Sequence, residues 1–281
     1  MTAHGQRFAS RINTGSEEFA RNRREHLARI DELVAILNRA RTLSEASRPR
    51  FERRGQLLPR ERLARLLDPG MPFLEIANMA GYLVDDPNPE TSVPGATQIG
   101  GIGFVSGTRC MVQVDDSGIN AGAMTRTSTG KGRRIMDMAL QQQLPFVHLV
   151  ESAGANLLEY EVEMWMAGGG IFARLARLSA DGLPTFTVLL GASAAGGAYR
   201  PGMSDYVVGI RGIGKAYLAG QALLIAATGV VADDGELGGS AMHASVTGLV
   251  EYLAEDDAHG LSLCRELVSR LDWNRHREPL G

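Results

Sequence analysis

The chain has 281 residues, of which 44% are hydrophobic and 22% charged, and its formal net charge is −3. These values are typical of a soluble globular protein that buries its core without disulfides or metals. The two cysteines exclude a disulfide scaffold and a four-cysteine zinc site. No run of about 18 apolar residues and no apolar N-terminal leader occurs, so we expect no membrane span and a cytoplasmic location.

Charge is divided unevenly along the chain. Residues 1–67 carry a net charge of +7, and the remaining residues carry −10. A basic segment can bind nucleic acid or another anion. Here the arginines alternate with glutamates and with apolar residues at helical spacing, and no aromatic ladder accompanies them. We therefore interpret the segment as the solvated face of helices and expect no nucleic-acid partner.

The first predicted elements are helices. Residues 1–14 are expected to form a disordered tip. Over residues 16–43 the apolar residues recur at three- and four-residue steps, which predicts an amphipathic helix. A second, shorter helix is predicted over residues 59–67, where leucines again share one face. We assign residues 15–70 to an N-terminal helical arm and residues 71–281 to a single larger domain.

The larger domain is predicted to alternate strands with helices. The expected order is strands at 99–105 and 110–115, a helix at 129–142, a strand at 146–150, a helix at 161–180, a strand at 185–190, a short helix from 198, strands near 206–210 and 215–218, and a helix near 220–228. Leu144-Pro145 and Leu183-Pro184 open two copies of one unit, made of helix, strand, small-residue turn and helix. This repetition indicates an α/β core.

Two turns rich in glycine and alanine follow the two buried strands, at 151–155 and 191–197. Small residues leave backbone N–H groups sterically open, and at a helix start such groups have no intrahelical partner. They can stabilise an oxygen that becomes negative during a reaction. If the two units stack, both turns face one cleft. Close packing of helices on a sheet also favours small residues, so a purely structural role fits the same pattern.

Side-chain chemistry is sparse around these turns. Ser193 does not fit the G-x-S-x-G nucleophile elbow, and His148 and His243 are lone histidines, which are more often structural. No cluster of His, Asp and Glu has the spacing of metal ligands, so we expect no metal. The residues predict that backbone donors stabilise charge while the reactive group arrives on a substrate or cofactor.

A set of motifs in a fixed order carries a family resemblance. They are Gly55-Gln-Leu-Leu-Pro-Arg-Glu-Arg-Leu-Ala-Arg-Leu-Leu-Asp-Pro-Gly70, Glu151-Ser-Ala-Gly-Ala155, Ala195-Gly-Gly-Ala-Tyr-Arg-Pro-Gly-Met-Ser-Asp205, Ala226-Ala-Thr-Gly229 and Glu236-Leu-Gly-Gly239, followed by His243, Ser245, Gly248 and Asp256-Asp257. From about residue 54 to residue 271 the chain resembles the N-terminal half of the carboxyltransferase (β) subunit of biotin-dependent acyl-CoA carboxylases. The resemblance is to the propionyl-CoA and 3-methylcrotonyl-CoA type.

The resemblance implies a crotonase-like (ClpP/crotonase) fold, a spiral of strand-strand-helix turns, here with an N-terminal helical extension. It implies an acyl-CoA substrate that is carboxylated at its α carbon, or its vinylogous γ carbon, by carboxybiotin carried on a partner protein. The intermediate enolate would be held by backbone N–H groups. On this chain the donors would be Ala153 and Gly154, with Gly196 and Gly197 as a second pair near the thioester.

The resemblance also implies residues that bind coenzyme A. Lys131 and Arg134 match basic family positions on a helix facing the coenzyme, and we expect them to contact its phosphates. A solvated helix face explains both residues equally well. Ala155, Ala198 and Tyr199 are assigned to acyl-CoA binding on the same grounds.

Several positions depart from the family pattern. Ala153 stands where a glycine is usual, Ile225 replaces a lysine, Val230 replaces a glutamate, and Gln221 replaces a proline. The loss of both charges at 225 and 230 is compatible with apolar packing, with a different substrate, or with lost activity. The chain also resembles only one of the two related halves of the family subunit. We therefore expect a second carboxyltransferase half, a biotin carboxylase and biotin carrier subunit, and an oligomer, hexameric by resemblance.

Three functions remain open at this point. The first is the acyl-CoA-binding half of a biotin-dependent carboxyltransferase. The second is a decarboxylase subunit of the same fold, which protonates the enolate instead of carboxylating it. The third is a non-catalytic subunit for acyl-CoA binding or assembly, favoured by the substitutions at 225 and 230.

Overall fold

The structure, a computed structural model, describes residues 9–155 and 162–273. Its helices are α1 (Glu17–Glu45), α2 (Arg48–Arg53), α3 (Pro59–Leu66), α4 (Arg126–Gln142), α5 (Val162–Ala180), α6 (Tyr199–Gly202), α7 (Gln221–Thr228), α8 (Asp234–Gly238), α9 (Ser240–Met242) and α10 (Asp257–Ser269). Its strands are β1 (Leu74–Glu75), β2 (Gln98–Val105), β3 (Thr108–Asp115), β4 (Phe146–Ser152), β5 (Thr185–Ala194), β6 (Tyr206–Ile210), β7 (Lys215–Tyr217) and β8 (Tyr252–Ala254). Most of the expected disordered tip, residues 1–8, lies outside the described ranges.

The two helices predicted near the N-terminus are present. Helix α1 begins at Glu17 because the Ser16 hydroxyl accepts the N–H of Phe19 at 3.1 Å, which satisfies one unpaired donor of the first turn. Helix α3 buries its leucines in the main core. The short helix α2 between them was not expected. No helix in the described ranges combines the length and apolar character needed to cross a bilayer.

The strands form one mixed sheet in the order β1-β2-β3-β4-β5-β6-β8, with β7 also paired to β5. Strands β1 to β3 pair antiparallel, and every pairing from β3 onwards is parallel. Alternate residues of β3 point into two apolar clusters, with Val112 towards α3 and α10 and Met111 towards α4 and α5. Helices therefore cover both faces, as expected for largely parallel sheets.

The repeated unit is confirmed by the pairing of β4 with β5. Phe146 lies beside Thr185 at the start of both strands, and Ser152 lies beside Ser193 at their ends, after a bulge. Because the strands are parallel, their carboxyl ends meet at the same edge of the sheet. The two glycine-alanine turns therefore begin side by side.

Candidate active site

The two turns touch each other. Gly154 has a φ of +85°, and a Cβ built on it would lie 3.0 Å from the carbonyl oxygen of Ala194. On the other side of the contact, a Cβ built on Gly197 would lie 3.5 Å from Ser152. Glycine is needed at 154 both for its left-handed backbone and for this close approach. The two turns therefore lie against each other, as the stacking of the two units predicts.

A cavity of about 1020 Å³ opens beside the two turns. Small-molecule sites usually have volumes of about 300–1,000 Å³, so the space is sufficient for an extended ligand. From the turns, Ala153, Ala155 and Gly196 line it. The remaining walls are mostly apolar and come from the loop before α4, from α5, and from the segment that runs from the end of β7 into α7. They include Met124, Ile171, Phe172, Leu218, Leu223 and Leu224.

Two of the predicted donors are already occupied. The N–H of Ala153 donates to the carbonyl oxygen of Ala121 at 3.1 Å, and the N–H of Gly154 donates to the Ser152 hydroxyl at 3.2 Å. The prediction that these two amides are free to hold an enolate is therefore wrong in this structure. For Ala153 the acceptor comes from a loop at 120–122, whose backbone lies against the turn. The Ser152 hydroxyl that accepts the Gly154 N–H itself donates to the carbonyl oxygen of Gly122 in the same loop at 2.8 Å.

The amides of Ala155 and Gly196 are placed differently. The carbonyl of Gly154 accepts the N–H of Met124 at 2.8 Å, and in a trans peptide the next N–H points the opposite way, so Ala155 N–H points away from Met124. Gly196 is the second residue of a 3₁₀ helix at 195–197, where N–H groups have no intrahelical acceptor. Within the described ranges neither amide has a hydrogen-bond acceptor, and both residues line the cavity.

The other residues assigned to the second turn lie behind the cavity. Gly197 is buried against Ser152, and Ala198 packs on the small apolar cluster of β4, β5 and β7. The ring of Tyr199 is exposed and lies 4.6 Å from the ring of Phe172, which lines the cavity. These residues support the wall and do not form its inner surface.

Lys131 does not lie where the resemblance places it. Its ammonium group is buried and donates to the carbonyl oxygens of Gly95 at 3.1 Å and Gln98 at 2.6 Å. Burial lowers the pKa of Lys131 to about 8. The prediction of a phosphate contact is wrong for this residue, because Lys131 shares the buried face of α4 with Ile135. Arg134 lies on the exposed side of the same helix.

Sequence reasoning missed a buried ionic group beside the cavity. Arg200 donates to both oxygens of Asp115, at 2.7 and 2.5 Å, and His148 Nε2 lies 3.4 Å from the same carboxylate. Burial opposes ionisation of Asp115, but the charge of Arg200 prevails and lowers its pKa. Burial lowers the pKa of His148, so the imidazole is neutral near pH 7. A carboxylate ending a buried strand was the available sequence signal.

The cavity lining contains few titratable groups. The carboxylate of Asp234 accepts the N–H of Gln221 at 2.9 Å and lies 3.3 Å from Lys215 Nζ; the Gln221 N–H in particular lowers its pKa. Asp234 is therefore a poor proton acceptor. Burial raises the pKa of Tyr217, so its phenol stays protonated. In the described ranges no group of His, Cys, Asp and Glu is arranged to hold a metal.

Two of the substituted positions, 225 and 230, lie on an exposed apolar surface next to the cavity. Helix α7 buries none of its residues. Leu218, Leu223, Ile225, Val230 and Val231 are all exposed, and we call this set the α7 surface. The loss of charge at 225 and 230 is thus not compensated by burial within the described chain.

Comparison with known proteins assigns the chain to a family. The carboxyl transferase domain family matches residues 50–280. A Mycobacterium tuberculosis protein named probable biotin-dependent acyl-coenzyme A carboxylase beta2 subunit is 42% identical over 224 residues, which are 80% of this chain and 41% of the relative. The biotin-dependent 3-methylcrotonyl-coenzyme A carboxylase beta1 subunit of the same organism is 41% identical over 229 residues, or 80% of this chain and 42% of the relative.

Solved structures agree with this assignment. The crystal structure of the Pseudomonas aeruginosa geranyl-CoA carboxylase β subunit superposes with a TM-score of 0.87 and 45% identity, covering 98% of this chain and 52% of that one. Transcarboxylase 12S, at 23% identity and a TM-score of 0.74, supports the fold alone. The chain spans about half the length of these relatives. The chain belongs to the carboxyl transferase domain family and has its crotonase-like α/β fold with a helical N-terminal segment.

Proposed function

We propose that this chain is the acyl-CoA-binding half of a biotin-dependent acyl-CoA carboxyltransferase. Its reaction is the transfer of a carboxyl group from carboxybiotin to the α carbon of an acyl-CoA, or to the vinylogous γ carbon. The observation that carries the proposal is the pair of N–H groups at Ala155 and Gly196, which lie on one cavity and have no acceptor among residues 9–155 and 162–273. The related β subunits, 41–42% identical, are named as biotin-dependent carboxylase subunits.

The two N–H groups replace the pairs expected from the resemblance. They would donate to the thioester carbonyl oxygen, and these hydrogen bonds strengthen as the α proton leaves and the oxygen becomes negative. One such donor typically contributes about 3 kcal/mol to transition-state stabilisation. The apolar walls from Phe172 and α7 would lower the local dielectric around the oxygen, which strengthens the same interaction.

The side chains that line the cavity fit a reaction whose general base comes from outside this chain. Asp234, the carboxylate of the described lining, is a poor proton acceptor because the N–H of Gln221 and the ammonium of Lys215 hold it as an anion. Carboxybiotin on a partner carrier protein would supply both the carboxyl group and, after its release, the base. This chain contributes binding, orientation and charge stabilisation. Arg134, exposed on α4, is proposed to meet a coenzyme A phosphate.

The partners are also part of the proposal. Because the chain spans about half of its relatives, a second carboxyltransferase half would complete the site. The α7 surface supports this, since an exposed apolar patch beside a ligand cavity is typical of an interaction site. We propose a biotin carboxylase and carrier subunit as further partners in the cytoplasm, and a hexamer, the assembly named for transcarboxylase 12S.

A decarboxylase subunit is the second candidate. A methylmalonyl-CoA decarboxylase α subunit of Veillonella parvula is 25% identical over 254 residues, 49% of that protein. The phenol of Tyr217 lines the cavity and remains protonated, so it is a possible proton donor to the enolate. Decarboxylation of methylmalonyl-CoA by the purified chain without biotin, lost in Tyr217→Phe, would favour this candidate.

The proposed function is tested by binding and by partner capture. Titration of the purified chain with propionyl-CoA should show binding that exceeds that of free coenzyme A. The chain, tagged in its native host and isolated under mild conditions, should bring with it a biotinylated protein and a second carboxyltransferase half. Binding of acyl-CoA without either partner would point to the non-catalytic alternative. Absence of acyl-CoA binding would contradict the proposal.

A further inference from the structure

We propose that Arg62, in helix α3 of the N-terminal arm, is a positioning residue that fixes the distance between the two turns. It thereby places the N–H groups of Ala155 and Gly196 around one oxygen. This inference rests on the proposed function and assigns part of the site to the arm, which contributes no residue to the described cavity lining.

The contacts of Arg62 converge on the ends of the two strands that lead into the turns. Its Nη1 donates to Glu151 Oε2 at 2.5 Å, and its Nη2 donates to the carbonyl oxygen of Leu190 at 3.3 Å. Glu151 lies in β4 immediately before Ser152, and Leu190 lies in β5 immediately before Gly191. One rigid guanidinium therefore bridges the first residue of one turn and the residue that precedes the other.

A third contact fixes the guanidinium itself. Arg62 Nε donates to Asp257 Oδ2 at 2.7 Å, and the same oxygen accepts the N–H of Leu57 at 2.9 Å. Asp257 opens helix α10, so the arm, α10 and both strands meet at one group. Arg62 is 1% exposed. A guanidinium group buried to this degree remains charged only with such partners. Its planar set of N–H donors allows little movement.

The neighbouring residues are shaped around the same group. Gln56 of the arm donates from Nε2 to the Leu190 carbonyl oxygen at 2.6 Å. A Cβ built on Gly191 would overlap the side chain of Glu151, so the carboxylate lies wedged between β4 and β5. Any displacement of the Glu151 side chain therefore also displaces Gly191, where the second turn begins.

The variant Arg62→Lys separates positioning from folding. Lysine keeps the charge that the buried carboxylates need, but its single ammonium cannot reproduce the three-way fork. Two ligands are compared: propionyl-CoA and S-propyl-CoA, the thioether that lacks the carbonyl oxygen. Arg174→Lys is the matched control. Arg174 also makes a bidentate ion pair, with Asp137 at 2.6 and 2.9 Å. That pair joins α5 to α4, away from the strand ends.

We expect Arg62→Lys to weaken propionyl-CoA binding about tenfold and to leave S-propyl-CoA binding unchanged, while Arg174→Lys changes neither. Equal losses for both ligands, or no loss for either, would overturn the positioning role. Wild-type protein that binds both ligands equally would instead contradict the proposed function. If Arg62→Lys does not fold, Gln56→Met is the second variant, because it removes the bonds from Gln56 to the Leu190 carbonyl oxygen and to Glu151 and leaves Arg62 in place. It should show the same selective loss at about threefold, and no selectivity there overturns the inference.

Discussion

Gly154 and Ala194 approach so closely that a single methyl group on Gly154 would lie 3.0 Å from the Ala194 carbonyl oxygen. The contact joins the turn after β4 to the end of β5. It explains how two glycine-alanine turns, far apart in sequence, present their backbones to one cavity. The geometry of the site is thus set by the backbone, and it requires glycine at position 154.

Gly154→Ala should destabilise the chain and weaken acyl-CoA binding. A left-handed φ costs a non-glycine residue about 1–2 kcal/mol, and the contact with Ala194 adds to it. Gly182→Ala is the matched control, because Gly182 has a φ of +68° with no atom within 4 Å of a built Cβ. Urea denaturation should show the larger loss for Gly154→Ala. Binding of propionyl-CoA should fall in that variant alone, and an equal loss in both would contradict the close-contact argument.

Ala155→Pro removes one proposed donor. Proline has no N–H, whereas Ala155→Ser keeps the amide and nearly the same volume. We expect the proline variant to bind propionyl-CoA about tenfold more weakly and the serine variant to bind it like wild type. Circular dichroism and thermal melting check that both variants fold. Unchanged affinity in a folded proline variant would exclude Ala155 as a donor.

The buried Lys131 should make stability depend on pH. Its pKa in the folded chain is about 8, below the usual 10.5, so between these values the unfolded chain binds more protons. Stability therefore rises with pH across this window, by up to about 3 kcal/mol at 1.36 kcal/mol per pKa unit. Unfolding free energies at pH 7–10 should show this rise in wild type relative to Lys131→Met. Parallel curves for the two proteins would show that the ammonium is not buried as described.

Arg134→Ala tests contact with a coenzyme A phosphate, and Lys131→Met on the same helix is its control. The alanine variant should raise the dissociation constant for propionyl-CoA several-fold at low salt, less so at high salt, and leave binding of a propionyl-pantetheine thioester unchanged. Lys131→Met should leave both affinities unchanged because its ammonium group faces two backbone carbonyls. Equal effects of Arg134→Ala on both ligands would contradict a phosphate contact.

Periodicity predicted most of the fold because it reports which faces are buried. The helices at 17–45 and 59–66, the β2–β3 hairpin and the paired strands β4 and β5 are all confirmed. Local patterns could not show the order of strands in the sheet. They also could not show that α3 packs beside α10 in the main core, since that contact joins segments about 200 residues apart.

The site was predictable as two turns but not as individual donors. Small residues after buried strands indicated where backbone amides are open, and Ala155 and Gly196 lie in those segments. Whether a backbone N–H is free to bind a ligand depends on whether another segment of the chain places an acceptor against it. Ala153 is occupied because the distant loop at Ala121 supplies a carbonyl. The burial of Lys131 was unpredictable for the same reason. Which face of α4 is buried depends on how the helix packs against distant segments, and Lys131 lies on that face.

The central claim is that main-chain N–H groups at Ala155 and Gly196 hold the thioester oxygen. Isotope-edited infrared spectroscopy of propionyl-CoA labelled with ¹³C at the thioester carbonyl reports on that oxygen directly. Two hydrogen bonds should lower the carbonyl stretching frequency on binding to the wild-type chain, and Ala155→Pro should reverse part of this shift. A bound thioester whose carbonyl frequency equals that of the free ligand in an apolar solvent would contradict the account.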